Sequence, residues 1–121
     1  MTIFRIEHPE SKSGPYKRKG KFSRRKKLID SHSYSELEYR PTPGKDELPW
    51  DGVRYGTKTL KSLRKWFKGW MQQFKDEGFV IAKYKVRDAQ RGKLKHWGQI
   101  AFKPEDVLKR TIRPWTKLDI A

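Results

Sequence analysis

Between Lys12 and Lys27 the chain carries nine cations, Lys12, Lys17, Arg18, Lys19, Lys21, Arg24, Arg25, Lys26 and Lys27, and no Asp or Glu. Side chains of this type at this density suit one task. They neutralise phosphates and release condensed counterions, and the gain accumulates contact by contact. Tyr16 and Phe22 lie inside the run. Aromatic rings beside cations stack on unpaired bases, which favours single strands or RNA loops over duplex DNA. A second group is Arg64, Lys65 and Lys68, in a stretch from Thr57 to Lys75 that holds six cations and no acid. No i,i+4 ion pair accounts for those charges. Against phosphate binding stand a solvated tail that serves solubility, a solvated helix face, and docking on an acidic protein surface.

Other chemistry is poorly represented. His8, His32 and His96 are isolated, with no carboxylate at metal-ligand spacing, and each is expected to be structural or exposed. There is no cysteine nucleophile, no GxSxG elbow and no glycine-rich phosphate loop. Neither a cofactor nor a metal site is expected, and the chain reads as a non-enzyme.

The elements that must position the cations follow from pattern. Thr2 to Glu7 is a β-prone run ended by His8-Pro9, so 1–10 reads as a strand. Like-charge repulsion together with Gly14, Pro15 and Gly20 makes 12–27 an extended arm, and 11–56 as a whole a basic arm followed by an irregular loop. Leu60, Leu63, Phe67, Trp70, Met71 and Phe74 recur at steps of three and four. That spacing predicts one long amphipathic helix over 57–78, capped by Thr57 or Thr59 and closed by Gly78. Alternation after Phe79 and the β-prone run Trp97 to Phe102 predict an antiparallel hairpin over 79–103. Pro104-Glu105-Asp106 opens a predicted short helix within 104–121, with an irregular tail after Pro114. Trp66, Trp70, Trp97 and Trp115 are core candidates, while Trp50, in a Pro-rich loop, suits either the core or a surface anchor. The expected fold is α+β: one long amphipathic helix on a small, mostly antiparallel sheet, with an extended basic N-terminal arm.

Composition agrees with a single domain over 1–121. Thirty Lys and Arg against fourteen Asp and Glu give a net charge of +16, and fifteen of those sixteen charges fall in Lys12–Lys27 and Thr57–Lys75. The longest apolar run is Phe79 to Ala82 and the start lacks an apolar stretch, so neither a membrane span nor a signal peptide is expected. The absence of cysteine makes a reducing, cytoplasmic setting the default.

Several short stretches resemble a group of small phage and prophage proteins. They are Phe4-Arg5-Ile6-Glu7 with Gly14-Pro15-Tyr16, Gly56 with Thr59-Leu60-Lys61-Ser62-Leu63-Arg64-Lys65-Trp66-Phe67, Gly78-Phe79-Val80-Ile81 with Tyr84 and Val86, and Gln99-Ile100-Ala101-Phe102. The resemblance implies a phage-borne accessory protein and no particular activity. The same pattern is distantly similar to ADP-ribosyltransferase-like folds. That similarity implies a role in holding NAD for Arg5, a second for Thr57 or Thr59, and a third for an acidic residue within Gln99-Ile100-Ala101. Gln99 and Ala101 carry no carboxylate to steady the cation that develops when nicotinamide leaves, so an inactive scaffold is expected.

The expected function is RNA or DNA binding dominated by the phosphate backbone, through Lys12 to Lys27 with Arg64, Lys65 and Lys68. The expected partner is a nucleic acid or nucleoprotein complex. The alternative is a phage-encoded interaction or inhibitor protein that docks on an acidic surface of a host or viral complex.

Overall fold

The computed structural model describes residues 1–33, 43, 46–49, 51–95 and 97–120. Trp50 and His96 lie outside the described residues, as do residues 34–42, 44, 45 and 121. Strand β1 (Thr2–Glu7) leads through a 3-10 turn at Arg18–Gly20 to helix α1 (Arg25–Ser33). Strand β2 (Arg54–Thr57), helix α2 (Leu60–Trp66), helix α3 (Met71–Asp76) and strand β3 (Val80–Val86) follow. Strand β4 (Gln90–Arg91), strand β5 (Gln99–Phe102), a 3-10 turn at Pro104–Asp106, strand β6 (Val107–Arg113) and helix α4 (Lys117–Ile120) complete the described chain.

The six strands form one sheet in the order β4-β5-β2-β1-β3-β6, and every pairing is antiparallel. Successive side chains on a strand point to opposite faces. Both faces here are covered. Ile6 and Ile81 join Phe22, Leu28, Leu63, Trp66, Phe67, Met71, Phe74, Phe79 and Trp97 under the helices. Ile3, Ala82, Tyr84, Val86, Ile100 and Phe102 form a smaller cluster on the other face.

This architecture corrects the expected fold. No single long helix lies on a small sheet: 57–78 is divided into α2 and α3. Gly69 sits between them at φ +88°, a left-handed conformation that a helix interior excludes and that costs other residues dearly. The break lets Leu63 and Trp66 from α2, Phe67 at its C-terminal cap, and Met71 and Phe74 from α3 all reach the core. Of the two cap candidates, Thr59 caps α2 by accepting a hydrogen bond from Ser62 N–H at 3.1 Å, while Thr57 Oγ1 donates to the Thr59 carbonyl at 2.8 Å. Gly78 follows α3 at φ +85°.

The expected hairpin over 79–103 is also replaced. β3 pairs with β1 and β6, and β5 pairs with β2 and β4, so two other strands separate the runs that were to be neighbours. All four residues of β5 are buried, as a strand covered on both faces requires. The predicted short helix after Pro104 is a single 3-10 turn. Beyond it the β-branched Val107, Thr111 and Ile112 continue as β6 along β3.

The arm is not extended. Phe22 and Leu28, at 4% and 0% exposure, pin it to the helices and sheet. Gly20 permits the fold-back, because a Cβ there would meet the Gly14 carbonyl oxygen at 2.5 Å. Among the described residues, no helix is long and apolar enough to cross a membrane.

Candidate nucleic-acid interface

The arm presents its charges by burying what lies between them. The Phe22 ring packs edge-to-face on Phe74 at a centroid separation of 4.9 Å and also contacts Trp70 and Phe79. The Tyr16 hydroxyl accepts from Trp66 Nε1 at 2.9 Å and lies 2.5 Å from His32 Nδ1. Ser23 donates from its N–H and hydroxyl to Glu77 at 2.8 and 2.6 Å, tying the arm to the end of α3.

Between these anchors, Lys12, Lys17, Arg18, Lys19, Lys21, Arg24, Lys26 and Lys27 are exposed. Among the described residues no carboxylate pairs with any of them. Arg24 lies 5.5 Å over the Trp70 ring and donates to Gln73 at 3.4 Å. Arg25 is turned inward, its Nε donating to the Tyr16 carbonyl at 2.6 Å.

The second group is divided by the structure. Lys65 and Lys68 are exposed, and Lys65 Nζ sits 4.4 Å over the Trp97 ring. Arg64 is committed elsewhere: with Arg113 it holds the buried Asp119 carboxylate, at 2.9 and 2.8 Å. Burial opposes ionisation of Asp119, but hydrogen bonds from Arg113, from Thr116 and from Arg64 outweigh it and hold its pKa at about 2. Tyr16 and Phe22 have their rings engaged within the protein, so the exposed part of the arm is cationic rather than aromatic.

A cavity of about 430 Å³ lies between the arm, α1, α2 and strands β1, β2 and β5. Its wall includes Tyr16 and Trp66 beside Arg5, Lys17 and Arg54, and also Thr57 and Gln99. Three positions implied by the transferase-like resemblance, Arg5, Thr57 and Gln99, therefore face one space, whereas Thr59 caps α2 and Ile100 and Ala101 are buried in the sheet. The Arg5 guanidinium is already engaged by Glu7 at 2.9 Å and by the Tyr55 and Lys12 carbonyls at 2.8 and 3.0 Å. Gln99 donates to the buried Asp46 at 2.9 Å.

Pattern reading passed over this cavity and, among the described residues, three buried acids, Glu7, Asp46 and Asp119. For Glu7 a signal existed. Ile3, Arg5 and Glu7 alternate on one strand face, so an inward Ile places two charges inward with it. Asp46 meets Gln99 across more than fifty residues of chain, and no local pattern marks it; Asp119 pairs as distantly with Arg64 but also accepts from Thr116 three residues before it, the Thr-x-x-Asp spacing of a capping box.

No curated protein and no solved structure matches the chain. A family model described as "Bacteriophage T4 Y00F protein" matches residues 1–115, which takes in every strand and the whole basic arm. The chain therefore belongs to the Bacteriophage T4 Y00F protein family.

Proposed function

We propose that this phage protein is an accessory factor that binds RNA or DNA through the phosphate backbone, and that it is a binding protein rather than an enzyme. One observation carries this reading: the run of exposed cations from Lys17 to Lys27, without an acid partner among the described residues, on a segment fixed by Phe22, Tyr16 and Ser23. Fixing the segment beforehand lowers the ordering cost of binding. Arg25 and Arg64, both engaged internally, serve as supports, and Phe22 is an anchor of the core.

The test is fluorescence anisotropy with a labelled oligonucleotide across a salt series. Backbone contacts predict an affinity that falls steeply with salt, with a log–log slope of about −0.7 to −0.9 for each phosphate engaged. Absence of binding at about 50 mM salt, or binding indifferent to salt, overturns the proposal. A pull-down partner that survives nuclease treatment, with no oligonucleotide binding, assigns the same surface to an acidic protein instead.

A further inference from the structure

We propose that the cavity between the arm and the sheet receives one unstacked base of the bound strand, a proposal that rests on the nucleic-acid reading above and names its substrate as single-stranded. At about 430 Å³ it falls among cavities that hold small organic molecules, about 300 to 1,000 Å³. Its wall includes the aromatic residues Tyr16, Tyr55, Trp66 and Phe67. A nucleobase inserted into a protein is held by stacking against aromatic and apolar side chains.

Charge and position set the direction of entry. The charged residues in the wall are Arg5, Lys17 and Arg54, and no carboxylate joins them among the described lining residues. Lys17 belongs to both features: it lines the cavity and it begins the exposed cationic run that continues through Arg18 and Lys19. A strand whose phosphates follow that run carries its next base to the cavity mouth. A paired base would first have to leave its stack, at a cost that a single strand avoids.

The two features make opposite demands, and this allows them to be tested separately. Phosphate contacts alone favour the duplex, whose charge density is higher. The cavity favours the single strand. We expect a single-stranded oligonucleotide to bind the full chain more tightly than a blunt duplex at the same salt. Val53→Trp, which places a ring in the cavity from a half-buried wall position, is expected to weaken single-strand binding about tenfold and to leave duplex binding unchanged. A wild-type measurement independent of that variant's folding is 2-aminopurine fluorescence, expected to quench when the labelled base enters beside Trp66 and Tyr16.

Equal affinity for both forms without quenching overturns the cavity assignment and leaves backbone binding standing. The same follows if folded Val53→Trp loses neither or both to the same degree. Failure of the wild-type chain to bind either form overturns both proposals. NAD binding, seen by calorimetry and not displaced by a saturating single strand, overturns the base assignment in favour of a dinucleotide site.

Discussion

Tyr84 on β3 donates its phenolic hydrogen to the buried Glu7 on β1, lying 2.7 and 2.8 Å from the two carboxylate oxygens. Arg5 and Arg110 complete the shell at 2.9 and 2.7 Å, so an acid with no exposed surface keeps its charge balanced. Tyr84→Phe removes one donor while keeping the ring, and is expected to cost about 1–3 kcal/mol in urea unfolding. Glu7→Gln should cost more, about 3–5 kcal/mol, because it leaves two partly buried guanidiniums without their counter-charge.

The same hydroxyl sets an alkaline limit. Burial first, and then the hydrogen bond to Glu7, raise the Tyr84 pKa from its ordinary 10.0 to about 12. A folded state that holds this proton more tightly than the unfolded chain is stabilised fully below pH about 10, and the benefit is lost as pH rises towards about 12. Thermal melts should fall over that window in the wild type and fall less in Tyr84→Phe.

Asp119 sets the acid limit with the opposite sign. Its pKa, lowered from 3.8 to about 2, contributes stability that is present above pH about 4 and lost as pH falls through about 2. Asp119→Asn should remove that acid dependence and cost about 2 kcal/mol, since Arg64 and Arg113 lose a shared buried partner while their own side chains keep some access to water. Arg64 would then be released, so salt-dependent binding of nucleic acid should be retained.

Lys26→Gln combined with Lys27→Gln removes two exposed cations that have no acid partner among the described residues. The salt slope of oligonucleotide binding should become shallower by about one for each phosphate left without its cation, with an unchanged melting curve. Gly20→Ala should act in the reverse manner. Its Cβ would press on the Gly14 carbonyl, so stability should fall by about 1–3 kcal/mol and the arm should lose its seat.

Local pattern revealed the apolar positions well and the topology poorly. Leu63, Phe67, Met71 and Phe74 reach the core as their spacing requires, yet the same stripe continues across Gly69, where the helix stops. A stripe records which residues face inward and is blind to a change of axis. β3 and β5 were recognisable as strands, but their neighbours are chosen by β1 and β2, which lie far away in sequence. The arm misled for a related reason: nine like charges outweighed two apolar residues on paper, while in the fold Phe22 and Leu28 decide where the segment lies. The cations were legible because exposure needs no partner. The cavity was not, because its wall is drawn from the arm, three strands and both α1 and α2.

Phe22 carries a lesson for anyone dissecting this chain by deletion. Because its ring fills space among Trp70, Phe74 and Phe79, excising 12–27 would open a hole in the hydrophobic interior instead of trimming an appendage. A truncated protein that failed to bind would report its own unfolding, and only charge-by-charge replacement along the outer surface can separate recognition from architecture.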